Sequence, residues 1–112
     1  MEEISVISIT YEIYKKLIGL NIVIDKKYRF TLSEPVVVNC AKVLEQLIFA
    51  KNAPKPLKAA YIINADAAAE LTALNLRAIL ELKLANETNV LKIQALLSEA
   101  RRQIGGWRKS VQ

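Results

Sequence analysis

The chain has 112 residues, 53% of them hydrophobic and 24% charged, with a net charge of +5 and one cysteine. This is enough for a single domain with one core, too apolar for disorder, and unable to form an intramolecular disulfide. It has no histidine, which removes the commonest general base and most catalytic metal sites, so neither metal nor cofactor is expected.

The first segment runs from about Ser5 to Asp25. Its opening, "ISVISIT", alternates like a strand, but Ile7, Tyr14, Leu17 and Ile18 follow helical spacing. Ile9, Ile13, Leu20, Ile22 and Ile24 spread apolar surface around much of the helix, and a helix apolar on several sides needs more than one partner surface. Glu12, Lys15 and Lys16 interrupt the stretch, and no run in the chain reaches the ~18 apolar residues of a membrane span. The start, "MEEIS", is acidic where a signal peptide would be basic, so a cytoplasmic protein with no membrane partner is expected.

"KKYRFTLS", Lys26 to Ser33, connects to the second helix. Ser33 is placed as its N-cap, with Glu34 against the helix dipole and Pro35 near the start. Val37, Cys40, Ala41, Leu44, Leu47 and Ile48 form its main face, and Val36, Val43 and Ala50 a second, weaker one. Cys40 falls inside the apolar stripe and reads as a buried core thiol, since no histidine is present to activate it.

"NAPKP", Asn52 to Pro56, ends that helix, because Ala53 and Lys55 each precede a proline. Pro56 starts the third segment, which runs to about Leu84 or Ala85, with "ADAAAELTALNLRAILELKL" as a strong helix former. Leu71, Leu74, Ala78 and Leu82 form one face, extended sideways by Leu76, Ile79 and Leu80. After "ANETN", Ala85 to Asn89, Thr88 or Asn89 caps the fourth segment. Val90, Ile93, Leu97, Ala100, Ile104 and Trp107 then make a heptad seam. Short loops place successive helices antiparallel. The expected fold is all-α, an up-down-up-down four-helix bundle, as a single domain over 1–112.

The chain closes on "RRQIGGWRKSVQ". Trp107 continues the seam, so helix can persist through Gly105 and Gly106, at roughly 1 kcal/mol for each glycine relative to alanine. Either the glycines let a helix or ligand approach the backbone closely, or Gly105 caps a frayed end.

"IGGWRKS", after a helix of the form "LLSEARRQ", resembles the accessory variability determinant proteins of diversity-generating retroelements. "YEIYKKLIGLNIVIDKKYRFTLSEPV" is similar to that family's first helix, its basic-aromatic loop and the start of the second helix. "VLEQLIFAKNAPKPLKAAYIINADAAAELTALNLRAI" is similar to its second and third helices. The resemblance covers nearly the whole chain, and the pairing of "RFTL" with "GGW" is its specific part. It implies a four-helix bundle that assembles into a homopentameric barrel. It also implies a non-catalytic role: binding the element's reverse transcriptase and nucleic acid, template RNA or cDNA, in mutagenic retrohoming. The four-helix-bundle proteins encoded in intervening sequences of 23S ribosomal RNA genes share the fold. They are the alternative, as structural or interaction proteins without a known partner.

Up-down topology sorts the charges by end. Lys51, Lys55, Lys58, Arg101, Arg102, Arg108 and Lys109 share one end, against Glu2, Glu3 and Glu99. They are the expected nucleic-acid contacts, since phosphate recognition needs only donors and positive charge. The opposite end carries Lys26, Lys27 and Arg29, a second basic loop for nucleic acid or a protein partner, with Lys83 and Lys92, against Asp25, Glu34, Glu81 and Glu87, so the first end is the stronger positive patch. Tyr28, Phe30 and Trp107 lie near basic residues. Packing into the bundle is the expectation for all three, because Phe30 and Trp107 fall where a staple and a seam residue belong, and stacking on bases is the alternative. A carboxylate-based enzyme would need Glu12, Glu45, Asp66 and Glu70 to converge inside the bundle. Surplus Ile and Val on the first helix points to a homo-oligomer, through that helix and the second face of helix two.

Overall fold

The computed structural model describes the backbone over residues 2–112 and the side chains from residue 5 onward. Among these residues the chain forms α1 (Glu2–Val23), α2 (Glu34–Asn52), α3 (Lys55–Glu81) and α4 (Glu87–Ser110), with no strand. Each helix packs on its two neighbours around a square, α1 on α2 and α4, α3 on α2 and α4. The bundle measures 43 × 23 × 19 Å, and its length matches the roughly 40 Å that 27 helical residues span. This is the expected antiparallel four-helix bundle.

The core is a stack of side chains with no exposure at all, including Ile13, Leu17, Leu47, Ile62, Leu76, Ile79 and Ile104. Burying one such side chain stabilises the fold by roughly 1.5–3 kcal/mol. The α4 seam matches expectation throughout, with Val90, Ile93, Leu97, Ala100, Ile104 and Trp107 all buried. Cys40 is buried too, its thiol 3.9 Å from the carbonyl of Thr10 on α1, and burial pushes its pKa up to about 12.

Helices α2 and α3 are rotated from the expected phase. On α2 the buried set is Val36, Cys40, Val43, Leu47 and Ala50. The expected weaker face is therefore core, while Val37, Ala41, Leu44 and Ile48 turn toward the surface. On α3 the buried set is Ile62, Ala65, Ala68, Ala69, Thr72, Leu76 and Ile79, and Leu71, Leu74 and Leu82 are exposed. The cause is size. Alanine and threonine on the inner face let α2 and α3 approach closely, and Thr72 satisfies its hydroxyl on the carbonyl of Ala68 at 2.8 Å. Hydropathy favours leucine over alanine, so it selects the outer stripe.

The connections also differ in detail. Lys26–Tyr28 forms a 3₁₀ turn and Arg29–Ser33 a π-helical turn, which runs directly into α2. Ser33 is not an N-cap. Its backbone is helical, its side chain caps nothing, and its hydroxyl donates to the side-chain oxygen of Asn21 on α1. No cap is needed there, because the Glu34 amide is already bonded to the Arg29 carbonyl.

Helix α3 ends at Glu81, three or four residues early, because Lys83 takes a left-handed conformation, φ 57°. The Leu84 amide then donates to the Ile79 carbonyl at 3.0 Å and that of Lys83 to the Leu80 carbonyl at 3.1 Å, the pair of bonds that closes a Schellman ending. The cap of α4 is Asn86, two or three residues before the expected position, its side chain accepting from the Asn89 amide at 3.0 Å.

Candidate nucleic-acid interface

Antiparallel packing brings the C-termini of α2 and α4 and the N-terminus of α3 to one end, with Lys51, Lys55, Lys58, Arg108 and Lys109, while Arg101 and Arg102 lie further in, Arg101 level with Asp66 and Glu70 near the middle of α3. These basic residues are not equivalent. Lys58, in the first turn of α3, reaches back and donates to the carbonyls of Ala50 at 2.8 Å and Lys51 at 3.1 Å. It satisfies the last carbonyls of α2 and fixes the α2–α3 corner.

Arg101 points sideways across the α3–α4 groove. Its Nε lies 3.5 Å from Asp66 Oδ1 and its Nη2 3.7 Å from Glu70 Oε1. That Nε is shut off from solvent and makes no hydrogen bond of good geometry, so the attraction to Asp66 is Coulombic rather than a directed bond. Arg102 holds Glu99 with two bonds, at 2.9 and 2.6 Å. Arg102, and then Gln103, hold the Glu99 carboxyl down to about 2.

Lys51, Lys55 and Lys109 are exposed and Arg108 is half-exposed. None of these four has an ion-pair partner among the described residues, so they hold the charge most open to an outside anion. The side chains of Glu2 and Glu3, the acids set against this patch, lie outside the described residues.

Trp107 does not join that surface. It is 5% exposed, inside a helix that continues to Ser110. Gly105 does not cap α4, and, its chain neighbours and own helix backbone aside, no atom of the described residues lies within 4 Å of where a Cβ on Gly105 would sit. Among the described residues, then, none outside its own stretch of helix approaches Gly105 closely.

The opposite end holds the second basic loop. Asp25 accepts from the Lys27 amide and starts the 3₁₀ turn. The Lys27 ammonium sits 5.3 Å from the centre of the Tyr28 ring, and Arg29 Nε is 4.0 Å from Glu34 Oε1. The packing expectation fails for Phe30, which is 82% exposed while Leu32 and Val36 enter the core. Leu32, directly before Ser33, takes the core-facing place instead, and Phe30 two residues earlier lies on the outer side of the π-helical turn.

Near the same end, Lys16 and Lys92 flank a groove of about 270 Å³ between α1 and α4, floored by Leu20 and Ile93 and left open by Gly19. The two lysines are far apart in sequence, and no local pattern pairs them.

Two apolar faces have no covering partner among the described residues. On α1, Ile7, Tyr11, Tyr14, Ile18 and Ile22 recur at steps of three and four, beside Val37, Ala41, Leu44 and Ile48 on α2. The two rows meet in an open groove lined by Tyr14, Ala41, Leu44 and Ile48. On α3, Ile63, Ala67, Leu71 and Leu74 face away from the core. The four carboxylates of the enzyme alternative do not converge. Glu12 pairs with Lys15 at 2.9 Å, Glu45 is exposed on α2, and Asp66 and Glu70 share Arg101. No described helix is long and apolar enough to cross a membrane.

No family model matches the sequence, and no curated protein does. A solved structure has the same fold: a protein of unknown function from the S23 ribosomal protein family of Bacteroides thetaiotaomicron. It superposes with a TM-score of 0.88 over 97% of this chain and 99% of that one, at 14% identity. At that identity the match establishes the fold alone.

Proposed function

We propose that this chain is a non-catalytic accessory protein of a diversity-generating retroelement. In this reading it assembles into a cyclic homo-oligomer, a pentamer by the family resemblance. It binds nucleic acid, template RNA or cDNA, together with the element's reverse transcriptase, in the cytoplasm. The observation that carries the reading is the segregation of the surface. Apolar side chains gather along the α1–α2 groove and the outer face of α3, while Lys51, Lys55, Arg108 and Lys109 gather at one bundle end and Lys26 and Lys27 at the other. Two different apolar faces on one subunit suit a head-to-tail contact, which closes into a ring. A ring repeats each basic end around one axis and turns a modest charge per subunit into a surface with avidity.

The test is a titration with structured RNA across a range of salt. The reading expects tight binding at low salt, weak sequence preference, and a steep loss as salt rises. Light scattering that gave a 12.5 kDa monomer at micromolar concentration would remove the assembly. A reverse transcriptase gene beside the coding gene, and co-purification with its product, are the corresponding checks on the partner.

The second reading is an interaction bundle of the 23S ribosomal RNA intervening-sequence type. The fold match to a protein of the S23 family supports it. It expects the same oligomer without salt-sensitive nucleic-acid binding, so the same titration separates the two.

A further inference from the structure

Phe30 is the most exposed large hydrophobic side chain described, at 82%, followed by Ile22 at 79% and Val23 at 70%. The last two have structural contexts. Ile22 continues the α1 row that borders the apolar groove with α2, and Val23 lines the groove between α1 and α4. Phe30 belongs to neither. It sits on a π-helical turn, and no described aromatic ring stacks against it.

Its surroundings are cationic. Lys26 and Lys27 precede it by four and three residues, in the 3₁₀ turn that leads into the π-helical one, and Arg29 adjoins it, with Asp25 and Glu34 as the flanking acids. Lys26 has no ion-pair partner among the described residues, Lys27 lies over the Tyr28 ring, and Arg29 reaches Glu34 only at 4.0 Å. An open aromatic face with several loosely held cations within one turn suits a ligand that alternates flat rings with anions. Every base offers a π-face, and every nucleotide step brings a phosphate. A duplex hides its base faces, so the match is to an unpaired strand.

We propose that Phe30 is a stacking platform for one base of a single-stranded nucleic acid, with Lys26, Lys27 and Arg29 holding the adjoining phosphates. The proposal rests on the nucleic-acid reading above, and it assigns unpaired strands to the end of the bundle opposite the Lys51–Lys109 cluster.

The experiment measures anisotropy of a labelled single-stranded oligouridine and of a duplex RNA at several salt concentrations. The proteins compared are the parent, Phe30→Ala, Phe30→Trp and the double variant Lys26→Gln/Lys27→Gln. Phe30→Ala should weaken single-strand binding roughly tenfold to a hundredfold, with the salt slope and duplex affinity unchanged, because stacking releases no counterions. Phe30→Trp should bind like the parent. The lysine variant should lower the single-strand slope by about 0.7 for each phosphate that it no longer neutralises. Because Phe30 is exposed, the melting temperature of its variants should be unchanged, and circular dichroism checks this.

If the parent binds RNA in a salt-sensitive way and Phe30→Ala binds the single strand equally well, the platform is overturned and the nucleic-acid reading stands. If the parent binds no nucleic acid, both fall. Weaker binding of Phe30→Ala to anionic vesicles or to the reverse transcriptase, with RNA affinity intact, would reassign Phe30 to a membrane or protein contact and overturn the proposal.

Discussion

Arg101 on α4 faces Asp66 on α3, with its Nε 3.5 Å from the carboxylate and its Nη2 3.7 Å from Glu70 one turn further along. This side chain ties two helices together and has little charge left for an outside phosphate. Replacing Arg101 with Gln should cost roughly 0.5–1 kcal/mol of stability, since the pair is about one-third exposed and partly screened. RNA affinity and its salt slope should hold. Arg108→Gln/Lys109→Gln should do the reverse, keeping stability and flattening the slope. Equal losses of affinity in the two variants would show that Arg101 leaves its carboxylates to contact RNA.

Trp107 is the only tryptophan and is almost fully buried on the α4 seam. Trp107→Ala should cost about 3–5 kcal/mol. In the parent its fluorescence should be blue-shifted and move to the red in a single cooperative step on chemical unfolding. Emission already at the solvent-exposed wavelength in the folded protein would contradict the packing.

Gly105 lies in the interior of α4 with open space where a Cβ would go. Gly105→Ala should therefore stabilise the fold by about 0.5–1 kcal/mol, through a lower backbone entropy cost. Thermal melts measure the gain, and light scattering reads the assembly. If the parent proves to be the proposed oligomer and the substitution breaks it instead, the open space is where a neighbouring copy lies.

Lys83 holds a left-handed backbone, φ 57°, at the end of α3. A side chain there costs roughly 1–2 kcal/mol relative to glycine. Lys83→Gly should keep the Schellman bonds and add about 1 kcal/mol, allowing for the greater freedom of glycine in the unfolded chain. For a domain of this size that is a melting temperature higher by about 4 °C. A lower melting temperature would mean that the lysine side chain makes a stabilising contact.

Cys40 has its pKa pushed up to about 12 by burial. At pH 8 this leaves about a thousandfold less thiolate than an ordinary thiol would have. A thiol reagent should react with the native protein only through unfolding, and at once in denaturant. Rapid labelling of the native protein would place Cys40 nearer the surface.

The sequence by itself determined the all-α class, the helix count and order, the α4 seam and the burial of Cys40. Each follows from local information: 3.6-residue periodicity, helix-forming composition, and proline where a helix must stop. It also placed the loop and terminal basic residues, Lys26, Lys51, Lys55 and Lys109 among them, at the two ends of the bundle, because short loops force antiparallel neighbours, but it put Arg101 there too, which stands beside Asp66 and Glu70 near the middle of α3. Only the tertiary structure decided which way α2 and α3 turn. Alanine and leucine are both apolar, and the choice between them is made by how closely two backbones approach, a property of the pair of helices and not of either sequence. Arg102 pairs with Glu99 three residues earlier on α4, a spacing legible in the sequence, but only the structure separated Lys58 and Arg101, which serve the bundle, from Lys51, Lys55, Arg108 and Lys109. Their partners, Asp66 and the carbonyls of Ala50 and Lys51 among them, are set by register between helices or around a corner. Phe30 went the other way. The sequence placed it as a staple, but Leu32 takes the core-facing place before α2 and Phe30 is left to solvent.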